Sequence, residues 1–75
     1  MLSFVDRKMK DYALAKYGDR VNQYTDAEIE EARVFAFNES ARLSNLFIAG
    51  KANARPEKGF IEETFCLRLL GKERR

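Results

Sequence analysis

Apolar residues recur at helical spacing in three stretches of the chain, and the longest stretch lies in the middle. At its start, Thr25 and Glu28 have the spacing of a capping box, in which each side chain accepts a hydrogen bond from the other residue's backbone N–H. At its end, Gly50 can supply the left-handed backbone that often terminates a helix. We therefore predict a central helix over about 26–49, which at 1.5 Å per residue would be about 36 Å long.

Two shorter helices are predicted, one on each side of the central helix. The first covers about 3–17, from a capping serine at Ser3 to Gly18, and its inner face would hold Leu2, Val5, Met9, Tyr12 and Ala13. The second covers about 60–70 and ends at Gly71. Its alternating apolar residues also fit a strand, but no convincing partner strand exists elsewhere. Pro56 could open this helix earlier, although Gly59 would weaken it there. These elements predict a compact all-α fold, a single three-helix domain over 1–75 with 72–75 as a frayed basic tail.

The predicted central helix has two apolar faces, whereas a helix covered on one side needs only one. The first face contains Ile29, Ala32, Ala36, Leu43 and Leu46, with Phe47 beside it. The second face, turned by about 120°, contains Val34, Phe37, Ala41 and Ile48. Either the flanking helices cover one face each and close the bundle, or one face stays partly exposed for a second copy or another protein. Glu39 interrupts the first face, and it either points to solvent or pairs with an arginine or lysine.

Composition narrows the chemistry that the chain can perform. It has 75 residues, no histidine and one cysteine, Cys66, so an internal disulfide and a histidine–cysteine metal site are excluded, and we expect no cofactor. Cys66 stands between Phe65 and Leu67 and is predicted to be a core residue. No apolar run approaches the roughly 20 residues of a membrane span, so we expect a cytoplasmic protein that is neither secreted nor membrane-spanning.

Positive charge is concentrated in the last third of the chain. The formal net charge is +2, and it divides into −1 for residues 1–50 and +3 for residues 51–75. A nucleic-acid-binding surface is therefore an alternative prediction. Glutamates interleave with these basic residues, which weakens the prediction. The candidate residues are Lys51, Arg55, Lys58, Arg68, Lys72, Arg74 and Arg75.

Protein binding without catalysis explains more of the sequence. Histidine, the usual acid–base catalyst near neutral pH, is absent, and the glycines are too scattered to cradle a phosphate. Six phenylalanines and three tyrosines are many large residues for so small a core. We expect a small regulator that modulates or inhibits a larger protein machine, a class that includes phage-encoded accessory inhibitors. The predicted partner-binding residues are Phe35, Phe37, Arg33 and Arg42, and the predicted core residues are Phe47, Leu43, Ile29, Met9 and Phe65.

Overall fold

Three α-helices with a long central member form the fold, as the sequence predicts. The computed structural model describes residues 2–71; α1 is Phe4–Tyr17, α2 is Asp26–Ile48 and α3 is Phe60–Leu70. A 3₁₀ segment, Gly18–Gln23, connects α1 to α2. Within residues 2–71 there is no β-strand, and no helix has the length and hydropathy needed to cross a membrane. The predicted frayed tail, 72–75, lies outside the described residues.

Side-chain caps fix the beginnings of α1 and α2. The Asp6 N–H donates to Ser3 Oγ over 3.2 Å, so Ser3 caps α1 and the helix proper begins one residue later than predicted. The predicted capping box is present at the start of α2. There the Glu28 N–H donates to Thr25 Oγ1 over 3.1 Å, and the Thr25 N–H donates to Glu28 Oε1 over 2.9 Å. These bonds satisfy N–H groups that the first turn of a helix leaves without partners.

Gly50 ends α2 as predicted. Its φ of 76° is left-handed, its N–H donates to the Phe47 carbonyl, and the Lys51 N–H donates to the Leu46 carbonyl over 2.9 Å. These two bonds form a Schellman motif, which satisfies the last carbonyls of the helix. The chain then bends through a connector, residues 51–59. Pro56 does not open α3, because a turn follows it and the helix begins only at Phe60.

The core lies between the first apolar face of α2 and the inner faces of α1 and α3. Ile29, Met9 and Phe65 are buried there, as predicted. Leu43 and Phe47 are only half-buried, because they lie in the second half of α2, where Leu43 borders an open groove and Phe47 is covered by the Arg55 side chain of the connector. The buried apolar residues are Met9, Ala13, Val21, Tyr24, Ile29, Ala32, Ala36, Phe65, Cys66 and Leu69.

α3 packs along α2 in the opposite direction. Its last turn places Arg68 against Glu31, near the start of α2, while Phe60 at its start lies beside Leu43. Although this segment alternates like a strand in sequence, it is a helix: Phe65 and Leu69, four residues apart, are both fully buried, whereas Leu67 between them is 72% exposed. Both α1 and α3 therefore cover the first apolar face, and the second is left to the outside of the bundle.

Candidate protein-binding face

The second apolar face of α2 lies on the surface of the described part of the protein. We call it the outer face, and it consists of Val34, Phe37, Ala41 and Ile48. All four residues are exposed; Val34 and Phe37 are each 38% exposed and Ile48 is 70% exposed. Of the two arrangements open from the sequence, the described residues adopt the one with an uncovered face. An apolar stripe of this kind on a small protein is typical of a protein-interaction surface.

Phe37 is held on this face by a neighbouring ion pair. The Arg33 guanidinium lies 5.5 Å from the centroid of the Phe37 ring, within range of a cation–π contact. The same guanidinium donates from Nε to Asp6 Oδ1 over 2.6 Å, so α1 fixes its position. Because Arg33 is anchored to Asp6, the ring beside it has fewer conformations to lose when a partner binds. The sequence predicts Arg33 and Phe37 as companions, but it gives no indication of the role of Asp6 beyond the helix start.

Asp6 is the one buried charged residue among residues 2–71, with 3% of its surface exposed. Burial alone would raise the pKa of its carboxyl. Hydrogen bonds from Arg33 and with Ser3, together with the charge of Arg33, outweigh burial and hold the pKa below its ordinary value of 3.8. The carboxylate is therefore ionised throughout the neutral range and remains a permanent anchor for Arg33.

The other two predicted partner-binding residues lie on a different side of α2. Residues two apart on a helix point in nearly opposite directions, so Phe35 does not share the outer face with Phe37. Phe35 is half-buried, and the Arg68 guanidinium covers its ring at 4.5 Å. Arg42 pairs with Glu39 of its own helix over 2.8 Å. The predicted set is thus divided into Arg33 with Phe37 on the outer face, and Phe35 with Arg42 on the side toward α3.

The predicted basic residues are spread along the C-terminal third. Lys51 and Lys58 are exposed on the connector and form no ion pair within residues 2–71. Arg55 lies 5.2 Å from the Phe47 ring, and Arg68 donates from Nη2 to Glu31 Oε2 over 2.7 Å. Lys72, Arg74 and Arg75 lie outside the described residues. Two of the four described cations are therefore held by contacts within the protein.

An open groove of about 650 Å³ separates the connector from α1 and α2. Its lining includes Tyr12, Leu43, Pro56, Lys58 and Phe60. Sequence patterns could not reveal it, since its walls come from α1, from α2 and from the connector with the start of α3, which are distant from one another in the chain.

At the edge of this groove Lys16 and the Tyr12 hydroxyl both donate to Glu63 Oε1. The bond from Lys16 is the main reason why the pKa of Glu63 is lowered. Burial, followed by the bond to Glu63, raises the pKa of Tyr12. This cluster connects α1 to α3, and the positive charge of Lys16 balances the negative charge of Glu63.

Cys66 lies in the core and is poorly suited to act as a nucleophile. It is 1% exposed, and burial raises the pKa of its thiol from 9.0 to about 11. The reactive thiolate is therefore scarce at neutral pH. In the part of the chain that the structure describes, no cluster of acidic or cysteine side chains could hold a metal ion.

We expect the native protein to react with a thiol reagent at pH 8 at least about 100-fold more slowly than the protein unfolded in urea, since both burial and the raised pKa oppose attack. The measurement is absorbance after addition of an aromatic disulfide reagent, with glutathione as the fully accessible control. Equal rates in native and unfolded protein would show that Cys66 is accessible.

Comparisons with known proteins supply no relative from which a role could be transferred. No protein-family model, no curated protein and no solved structure matches this chain significantly.

Proposed function

We propose that this chain is a non-enzymatic regulatory protein that binds a larger protein through the outer face of α2 and thereby modulates or inhibits it. The observation that carries the proposal is the exposure of Phe37 and Ile48 on a helix whose opposite face holds the core. Aromatic residues are frequent anchors of protein interfaces. Exposed apolar residues on one face contribute favourable free energy to binding when a partner removes their surface from water. Such a protein acts by occupying a surface of its target.

The absence of a catalytic set supports a role in binding. The sequence has no histidine, and Cys66, its one thiol, is buried with a raised pKa. The described carboxylates with a lowered pKa, in Asp6, Glu39 and Glu63, are each bound to an arginine or lysine. A cytoplasmic regulator, including an accessory inhibitor of the kind that phages encode, is the form of this proposal that size and composition favour.

Phe37→Ala is expected to weaken binding of the protein partner by more than about 1 kcal/mol, roughly fivefold, while leaving the helical circular dichroism unchanged. The reason is that the ring is exposed and lies outside the core cluster. The measurement is capture by the tagged protein from a lysate of the organism that encodes it, with the bound protein quantified against the wild type.

Phe4→Ala is the matched control for this substitution. Phe4 is 74% exposed and also carries a cation, since Lys8 Nζ lies 5.3 Å from its ring centroid, but it belongs to α1. If Phe4→Ala still captures the partner and Phe37→Ala does not, the result supports the outer face as the partner-binding site. Equal capture by both variants and the wild type would overturn it, and a large fall in the melting temperature of Phe37→Ala would place Phe37 in the core.

Nucleic-acid binding is the second candidate, and the exposed lysines of the connector favour it. Lys51 and Lys58 form no ion pair within residues 2–71 and could contact phosphates. Nuclease treatment of half of the lysate separates the two proposals. Captured protein that survives nuclease supports protein binding, whereas material that disappears with nuclease supports the nucleic-acid candidate.

A further inference from the structure

We propose that the outer face of α2 also binds a second copy of this chain, with the two α2 helices antiparallel about a twofold axis at Ala41. This inference rests on the proposed function, because it assigns a second occupant to the same surface. The two occupants would then compete, and self-association would regulate how much of the outer face is open to the partner.

The spacing of the outer face supports a twofold axis. Val34, Ala41 and Ile48 are seven residues apart, the repeat at which side chains form a seam between two packed helices. The central residue is small, so two helices can approach closely there, and a larger aliphatic residue lies at the same distance on each side. A twofold axis at Ala41 consequently places Val34 of each copy opposite Ile48 of the other, so the three aliphatic positions of the face are self-complementary.

Charge complementarity favours the antiparallel direction. Glu30 continues the same stripe, seven residues before Phe37, and Lys51 follows α2. At 1.5 Å per residue, Glu30 lies about 16 Å from Ala41 toward the start of α2, and Lys51 lies just beyond the opposite end of the helix, after the left-handed Gly50. Both are exposed, and neither forms an ion pair within residues 2–71. An antiparallel dimer therefore brings the end of α2 that carries Glu30 to the end of the other copy that is followed by Lys51, whereas in a parallel dimer Glu30 would face Glu30.

The size of the face indicates a reversible dimer. α2 has 23 residues, and one side of a single helix pair buries less surface than the roughly 1,600 Å² of a standard stable interface. An interface at the lower end of the size range gives a mixture of monomer and dimer, so a change in concentration can release the outer face.

The test uses the fact that Ala41 of one copy would face Ala41 of the other copy at the twofold axis. Ala41→Glu and Ala41→Lys each place two like charges in contact, and each is expected to weaken self-association of the full chain at least about tenfold. An equimolar mixture of the two variants places opposite charges in contact and is expected to restore the dimer. Sedimentation equilibrium from about 10 µM to about 1 mM covers the range of such weak interfaces. Ala15→Glu, at an exposed alanine of α1, is the control that should dimerise like the wild type.

Disulfide trapping tests the direction of the helices. Ala41→Cys is expected to form a cross-linked dimer with oxidised glutathione, because residues on a twofold axis meet at disulfide distance. Val34→Cys should cross-link only when mixed with Ile48→Cys. Rapid cross-linking of Val34→Cys with itself would indicate parallel helices and overturn the arrangement.

A wild type that stays monomeric at about 1 mM, or a charge-swapped mixture that does not associate, would overturn the dimer. Either result leaves the proposed function standing, because partner capture is measured separately with Phe37→Ala. Conversely, unchanged capture by Phe37→Ala would overturn the proposed function without altering the sedimentation result.

Discussion

Replacing Phe65 with alanine is expected to lower the free energy of unfolding by about 3–5 kcal/mol. Phe65 is the largest fully buried side chain, with 0% of its surface exposed, and it packs where α3 meets the first apolar face of α2. Truncation of the ring removes buried apolar surface. It also leaves a cavity that the packed helices around it cannot fully close. A domain of this length has a total stability of about 4–11 kcal/mol, so the loss is at least about a quarter of the total and, at the lower end of that range, would unfold much of the protein at room temperature. Urea unfolding followed by circular dichroism at 222 nm is the measurement.

Leu67→Ala is the matched control for Phe65→Ala. Leu67 lies two residues away on the same helix, but it is 72% exposed, so its truncation should change the free energy of unfolding by no more than about 0.5 kcal/mol. If the two variants were equally destabilised, the orientation of α3 described above would be wrong.

Arg33→Ala is expected to have the second large effect, a loss of about 3–5 kcal/mol in the free energy of unfolding at pH 7. The variant would leave the Asp6 carboxylate, whose side chain is only 4% exposed, without its cation. The reverse substitution, Asp6→Ala, should cost less, since the Arg33 side chain is 23% exposed and its guanidinium can reach water. Urea unfolding of the two single variants and the double variant gives the coupling energy between the side chains.

The effect of pH follows from the lowered pKa of Asp6. A carboxyl whose folded pKa lies below its unfolded value stabilises the fold fully above the unfolded value, here 3.8, and this stabilisation is lost as the pH falls through the folded pKa. The difference between wild type and Arg33→Ala should therefore be large at pH 7 and should decrease as the pH falls below 3.8 and through the folded pKa.

Arg42→Ala provides the control for these electrostatic effects, because its ion pair with Glu39 is exposed to solvent and should contribute little to the free energy of unfolding. Equal losses from Arg33→Ala and Arg42→Ala would contradict a special role for the buried carboxylate.

Helix positions could be predicted from the sequence because the signals that end a helix are local. Thr25 and Glu28 need only each other to form the capping box, and Gly50 needs only its own freedom to adopt a positive φ. These signals placed both ends of α2 within one residue. The start of α3 at Phe60 was likewise predicted, because Gly59 disfavours a helix that would open at Pro56.

The identity of the uncovered face could not be predicted, because it depends on contacts between distant residues. Periodicity shows that α2 has two apolar faces, but it does not show which of them α1 and α3 cover. Helical spacing places Phe35 and Phe37 on different sides of α2, but it does not show which side the other helices leave uncovered. Arg68 and Glu31, 37 residues apart in sequence, meet beside Phe35, while Arg33 reaches Asp6 across 27 residues beside Phe37. Such pairings are set by the packing of the whole bundle.

The separation of the two apolar faces of α2 frees the outer face from the sequence constraints that the core imposes. Ile29, Ala32 and Ala36 on the first face are fully buried and can vary little without loss of the fold. Exposed positions such as Ala41 and Ile48 tolerate substitution at small cost in stability. Under the proposed function, substitutions there change the binding surface while the scaffold stays the same, so one helix carries a constrained surface and a surface that can diverge rapidly.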